Sequence, residues 1–390
     1  MLFRSVRYSI ANATHQSNLV QGATFSVLIS GAGDIVKDGV GSLVLSNPGN
    51  TFVGNLISNN GGYIAATSDA ALGAASNQIL INGAGFRAMD TWTSNRTISL
   101  LGYNNWIQVT SGKTLTLNTP FGGNPLANLL KEDVGTLVLA APNPNWNGNL
   151  TVSQGVVVAA DPAALGAGTN TIVIASTINA AFQLAGGITI PQNITVSSTA
   201  NTLNGGIQAT GALSNASGTN TLTGVLTIQN DATVGSVAGN LILAGGVNLP
   251  ASKRLQFAGP GDITLTGQGF FNNSGGAWAY YQIEHFGTGT LDLQSTNRLF
   301  MLNNQLGVDC LAGLLALGQI AHNAVLAAYG LTHSRHPFAH GAMHDLGQGR
   351  VLADSYHCSR LNTNTGRLTE AMFADVVGKL KKQLEASSKG

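Results

Sequence analysis

Charge is what this sequence has least of. Lys, Arg, Asp and Glu together make up 9% of its 390 residues, too few to coat the exposed faces of an ordinary helical domain. Cysteine is nearly absent. Cys310 and Cys358 are the only two, and they make neither a disulfide framework nor a Cys-x-x-Cys metal site. No apolar run is long enough for a membrane-spanning helix. The opening Met1-Leu-Phe-Arg-Ser-Val-Arg-Tyr-Ser-Ile10 carries basic residues but no apolar stretch of secretory-signal length. In place of these stand 50 glycines, a 44% hydrophobic content and many Asn, Thr and Ser residues. A chain so composed can bury a core, which excludes low-complexity disorder, and its residue types suit short strands joined by tight turns.

The net charge of +1 conceals two chemically different parts. Residues 1–310 carry 10 Lys and Arg against 12 Asp and Glu, whereas residues 311–390 carry 8 against 5 and hold six of the eight histidines. That small positive excess is compatible with a polyanionic partner without arguing for one by itself.

From Thr24 to Leu293 the pattern is one of short alternating runs punctuated by Gly, Asn and Asp. Ser42-Leu-Val-Leu45, Thr114-Leu-Thr-Leu117, Thr171-Ile-Val-Ile174, Asn240-Leu-Ile-Leu243 and Asp262-Ile-Thr-Leu265 each place aliphatic residues at i and i+2 on one face. No helical period competes with them. Short, evenly spread strands of this kind predict a solenoid, in which each coil stacks its inward Leu and Ile on the next and Gly or Asn turns the corners. Coils of roughly 20–25 residues would number about a dozen.

An internal repeat supports that reading. Val40-Gly-Ser-Leu-Val-Leu45, followed by Phe52, Gly54 and Leu56, returns as Val134-Gly-Thr-Leu-Val-Leu139, followed by Trp146, Gly148 and Leu150. The register runs from Lys37/Lys131 to Ala66/Ala160, and a one-residue slip brings Ala71-Leu-Gly73 onto Ala164-Leu-Gly166. A third copy starts at Gly287-Thr-Gly-Thr-Leu-Asp-Leu293 and stops near residue 298. These motifs resemble the β-strand repeats of bacterial autotransporter passenger domains. The resemblance covers residues about 30–297 and implies a right-handed parallel β-helix displayed at the cell surface, with an unknown surface ligand. The export signal and membrane barrel of that family are missing from the sequence.

No site chemistry stands out in this part. Gly31-Ala-Gly33 precedes no helix, so it does not read as a phosphate loop. Trp92, Trp106, Trp146 and Trp278 could stack sugars but read more simply as plugs at coil corners.

At Leu311 the grammar changes. Leu311 to Gly330 reads as an Ala/Leu helix closed by Gly330, with His322 at its boundary. A His-rich loop follows. His333, His336, His340 and His344 have spacings compatible with a helical metal site, but Pro337 and Gly341 interrupt any such helix, so no metal is assigned. Arg350 to Tyr356 reads as a strand and His357 to Gly366 as a polar loop. Thr369 caps a last helix whose apolar stripe is Met372, Phe373, Val376, Val377, Leu380 and Leu384.

Leu317-Gly-Gln-Ile-Ala321, Pro337-Phe-Ala-His-Gly-Ala-Met-His344 and Ser355-Tyr-His-Cys-Ser-Arg-Leu-Asn-Thr-Asn-Thr-Gly-Arg-Leu-Thr369 resemble, in this order, the C-terminal part of the iron–sulfur uracil-DNA glycosylases numbered family five. The resemblance covers residues 311–386. It implies base-excision repair of uracil-containing DNA, with His357 as the catalytic contact to O2 of the flipped uracil. Ser359 is implied as a phosphate contact, and Arg360, Leu361 and Asn362 as the strand-contacting loop. Cys358 stands where the family has proline. The family's first catalytic motif has no counterpart, and two cysteines cannot supply its four-cysteine cluster, so no cofactor is assigned and glycosylase activity is not expected of this stretch alone.

The expected organisation is a lead-in or cap over 1–29, a β-helix over 30–298, a junction at 299–310 and an α/β fragment over 311–390. The fold class is mainly β. The chain reads as a fusion of a passenger-type scaffold with a uracil-DNA-glycosylase-like module; the alternative is a non-catalytic surface adhesin or scaffold. The first family points to the cell surface and the second to the cytoplasm, so the location stays open.

Overall fold

The computed structural model describes residues 6–9, 22–166, 168–175, 180–197, 211–250, 253–271, 282–294, 313–347 and 350–387. The junction expected at 299–310, Cys310 and Trp278 lie outside them. The chain divides into two compact units, Met1–Asn297 and Arg298–Gly390.

The first unit is a parallel β-solenoid. Its longest sheet stacks 12 strands, from Gly22–Phe25 to Phe270–Phe271, beside sheets of nine, six and five strands. Every strand pair in these sheets is parallel, so each connection passes around the coil before returning to the same face. A full coil visits three faces: Ile98–Leu100, Asn104–Val109 and Thr114–Leu117 each lie in a different sheet. Stacked residues are commonly 21 positions apart in sequence, as Asn149 and Asn128 are. The spacing is not uniform: Asn193 and Val225 stack across 32 positions.

The alternating runs turn one face inward as their period requires. Leu129, Leu150, Ile172, Ile194, Leu226 and Val247 form one continuous ladder in the 12-stranded sheet, and each is at most 1% exposed. The core is a single column of such ladders. Among the described residues of this unit the only helical element is the short 3-10 turn Ala70–Leu72.

The repeat turns out to mark a corner, not a coil. Ile35–Asp38 and Ser42–Leu45 lie in the six- and 12-stranded sheets, whereas their repeats Asn128–Glu132 and Thr136–Leu139 lie in the 12- and nine-stranded sheets. The offset therefore equals four coils plus one face, and the same strand–corner–strand wedge is used at two different corners. Its centre is a lysine. Lys37 and Lys131 are both completely buried. Lys37 Nζ donates to the carbonyls of Asp38 (3.1 Å) and Gly39 (2.5 Å). Lys131 Nζ donates to those of Glu132 (2.7 Å), Asp133 (2.5 Å) and Gln154 (3.1 Å). Each ammonium thus satisfies corner carbonyls that the parallel ladders cannot reach. Burial pushes the Lys131 amine down to about 7, opposed by the charges of Asp133 and Glu132. Burial lowers Lys37 as well, with Asp38 opposing.

Side-chain amides complete the wedge. Asn50 accepts from Ile29 N and donates to Ala71 O, and Asn143 does the same with Phe121 N and Ala164 O. Asn77 donates to the carbonyls of Phe52 and Leu72, and Asn170 to those of Gly148 and Leu165. All four asparagines are buried. Phe52 and Trp146 plug the third side of their coils, with Trp146 Nε1 donating to Ala127 O at 2.7 Å. The glycine two places later is needed because the neighbouring coil is too near: a Cβ at Gly148 would lie 1.8 Å from Ala127 O.

The described residues of the second unit hold three strands, two more than the single one read from the sequence at Arg350 to Tyr356. Arg350–Ser355 is central, with Gly313–Leu317 parallel to it on one side and Met343–Gly347 antiparallel on the other. The helices are α1 (Gln319–Ala328), the short α2 (Arg360–Asn364) and α3 (Glu370–Ser387). The first half of the expected Ala/Leu helix is thus a strand. Gly318, at φ 94°, breaks the run between strand and helix, and Gly-Leu-Leu-Ala-Leu carries no period that would tell the two apart. Thr369 does cap α3, its Oγ1 accepting from Met372 N at 3.2 Å. Within the expected stripe Val376 and Leu380 are buried but Val377 is exposed; the side chain of Leu384 lies outside the description.

Candidate nucleic-acid interface

Two segments leave the same end of the parallel strand pair. Leu317 is in register with Ser355, so Gly318 with α1 and Tyr356 with the His357 loop emerge side by side. Loops at the C-terminal ends of parallel strands are where such sheets present ligand-contacting groups. Gly318 N donates to Ser355 O at 2.8 Å, and a Cβ on Gly318 would stand 3.2 Å from that of His357. The close approach of α1 to the loop therefore depends on glycine.

The loop is held by its own polar residues. Asn362 Nδ2 donates to the His357 carbonyl at 2.8 Å, drawing the two ends together. Ser359 caps α2: its Oγ accepts from Asn362 N at 3.4 Å, and its carbonyl accepts from Thr363 N at 3.0 Å. Asn362 O then accepts from Leu368 N at 3.0 Å, fixing the exit toward α3. His357 and Cys358 are exposed, and Cys358 is a free thiol. Ser359 and Asn362 are half-buried. The backbones of Arg360 and Leu361 open α2, while their side chains lie outside the description.

Behind the loop sits an aromatic and cationic platform. Tyr356 stacks on His340 with centroids 4.8 Å apart and planes 16° apart, and Arg367 lies 5.0 Å over the same tyrosine ring. Tyr356 N donates to His340 Nδ1 at 3.1 Å, which places the hydrogen of the neutral His340 ring on Nε2. The structure thus brings His357, Ser359 and Asn362 together and adds His340, Tyr356 and Arg367. Nothing in the sequence periodicity separates these three from their neighbours.

A second polar cluster lies inside the unit. His322, His344 and Asp354 are buried, and their ligand atoms lie within 4.8 Å of one another. His322 is a core residue, not the helix-boundary residue expected. Of the four loop histidines with metal-like spacing, only His344 joins this cluster.

A parallel β-solenoid followed by a small α/β unit with an exposed His-led loop defines the class of this chain. No family model matches it. Over 68 residues, 17% of its length, the chain is 54% identical to a type-5 uracil-DNA glycosylase of Thermus thermophilus, covering 31% of that protein. It is 37% identical over 75 residues to a type-5 uracil-DNA glycosylase of Mycobacterium bovis, covering 28% of it. Separately, it is 28% identical over 135 residues, 35% of its length, to the adhesin BmaC autotransporter of Brucella suis, covering 4% of that protein. The chain spans about a third or less of the length of the curated relatives it matches. Two partial resemblances of different kinds, one glycosylase-like and one adhesin-like, together with the solenoid fit a fusion.

Proposed function

We propose that the second unit is a DNA-contacting module of uracil-DNA glycosylase type, carried on a solenoid that serves as a scaffold. The observation that carries this reading is the His357 loop, exposed at the end of a parallel strand pair, tied by Asn362 and closely approached by Gly318. The type-5 uracil-DNA glycosylases that the chain resembles supply the substrate class. In this reading His357 donates to O2 of an extrahelical uracil. Cleavage of the base–sugar bond would leave negative charge on that ring, so the donor stabilises the leaving group. Ser359 still has its own hydroxyl hydrogen to offer a phosphate while its oxygen caps α2. Tyr356, His340 and Arg367 give the backbone of an unpaired strand a stacked, cationic surface.

Excision also requires a group that places the attacking water, and none is assigned among the described residues of this unit. The proposed activity is therefore recognition of uracil-containing DNA without turnover. Fluorescence anisotropy on oligonucleotides differing only in uracil or thymine tests it. Uracil preference in the wild type that falls about tenfold in His357→Ala, the worth of one good hydrogen bond, supports the reading. Equal affinity for the two bases refutes it.

A second reading takes the chain as a non-catalytic surface adhesin, favoured by the match to the Brucella suis autotransporter. Labelling of intact source cells with a membrane-impermeant reagent separates the two, because only a displayed scaffold is modified.

A further inference from the structure

The buried His322, His344 and Asp354 cluster poses a question of hydrogen placement. His322 Nε2 lies 2.8 Å from the His336 carbonyl oxygen, which can only accept, so the ring hydrogen must sit on Nε2. In a neutral ring Nδ1 is then a lone pair, yet it lies 2.8 Å from Asp354 Oδ1. Two acceptors at that distance repel unless a cation lies between them. His344 Nε2 lies 2.9 Å from the other oxygen, Oδ2, of the same carboxylate. The carboxylate is thus bracketed by two imidazole nitrogens in a site where His322 is 1%, His344 9% and Asp354 0% exposed.

The cation is either a proton or a metal ion, and the donor set favours a metal of the zinc class. Two imidazole nitrogens and one carboxylate oxygen are ligands that Zn²⁺ takes readily. A histidine that binds metal through one nitrogen usually donates its other N–H to a backbone carbonyl or a carboxylate, as His322 does to His336 O. Phe338 packs edge-on against His322, with centroids 5.6 Å apart, and dries the other side. The ligands come from three separate elements: α1, the Met343–Gly347 strand and the Arg350–Ser355 strand. A metal would staple all three in a unit whose apolar core is split into two small clusters, the situation in which small folds most use metal ions.

We propose that His322, His344 and Asp354 form a zinc-class metal site in the second unit, exchanging a proton for the metal ion. Bonds of about 2.0–2.1 Å at tetrahedral angles separate ligand atoms by about 3.3 Å. Loading therefore opens the two His–Asp contacts by roughly half an ångström, while the ligand atoms that now lie up to 4.8 Å apart close toward the same separation. The fourth position falls to water or to His336, whose ring centroid is 5.8 Å from that of His344.

The test is titration of the untagged, chelator-treated full chain with Zn²⁺ by calorimetry, and with Co²⁺ by visible absorption. One equivalent of tight binding is expected, with a tetrahedral cobalt spectrum, and both should weaken more than 100-fold in Asp354→Asn and in His344→Gln. Circular dichroism of each variant shows whether it has folded. His333→Gln, at an exposed histidine outside the site, should bind as the wild type does. Absence of stoichiometric binding by the wild type overturns the proposal and leaves the site to a proton. Undiminished binding in folded Asp354→Asn and His344→Gln overturns it too, because the metal would then be held elsewhere.

Discussion

Replacing Lys131 by methionine removes the donor at the centre of the second corner wedge while keeping its stem. The carbonyls of Glu132, Asp133 and Gln154, which are only part-buried, then lose the partner that the buried Lys131 amine supplies. A fully buried unsatisfied carbonyl costs about 1–3 kcal/mol, but water reaches these in part and methionine escapes the cost of burying a charge, so a net loss of only about 1 kcal/mol is expected at pH 7. The pH dependence follows from the amine, which burial lowers from 10.5 to about 7. Below pH 7 the folded and unfolded states are both protonated at this site, and the wild type carries the full cost of a buried charge. Between pH 7 and 10.5 the unfolded chain binds more protons than the folded one, so wild-type stability rises with pH by up to roughly 1 kcal/mol per unit. Methionine cannot follow. The gap between the two proteins should widen across that window and stay level below it. Urea midpoints of both proteins from pH 6 to 10 read this directly, with exchange protection of residues 129–139 and 150–158 locating the loss, since solenoids open coil by coil. Equal midpoints, or a gap that narrows as pH rises, would refute the account of Lys131 as a buried donor whose amine is lowered by desolvation.

The same wedge gives two further expectations. Gly155→Ala places a Cβ at φ 70°, 2.3 Å from Gly135 O and 2.5 Å from Asp133 O, and should cost about 3 kcal/mol in urea unfolding. Asn170→Ala strips the donor from the buried Gly148 carbonyl and leaves that of Leu165 to Gln192 Nε2 at 3.2 Å, and should cost roughly 1–3 kcal/mol, with protection lost first around residues 148–170. In the second unit, Val376→Ala should lower stability by about 2 kcal/mol, whereas Val377→Ala next to it should change it by less than about 0.5 kcal/mol, because only the first is buried. Thermal melting of the pair checks the stripe on α3.

Much of the solenoid was legible because its signal is local. Ser42–Leu45, Thr114–Leu117, Thr171–Ile174, Asn240–Leu243 and Asp262–Leu265 all form strands where alternation places them. The repeat was legible too, but not its meaning. A sequence carries no mark of which face of a coil a strand occupies, so a shift of four coils plus one face looks the same as an integral repeat. In the sequence Lys37 and Lys131 read only as register markers, since lysine is ordinarily a surface residue. Their burial becomes intelligible only once the corner carbonyls they satisfy are placed. In the tail, short apolar runs such as Gly313–Leu317 have no period, and the pairing that decides between strand and helix comes from residues 351–355, far along the chain. His322 and Asp354 are separated by 32 residues, so no spacing rule could join them. The His357 loop was legible only through resemblance.

The most direct test of the central claim is to incubate the purified full chain, in excess, with single- and double-stranded uracil DNA, scoring bound DNA and abasic product in the same samples. The account predicts uracil-dependent binding that needs His357, with no abasic product at any enzyme concentration. Abasic product that disappears in His357→Ala would contradict recognition without turnover.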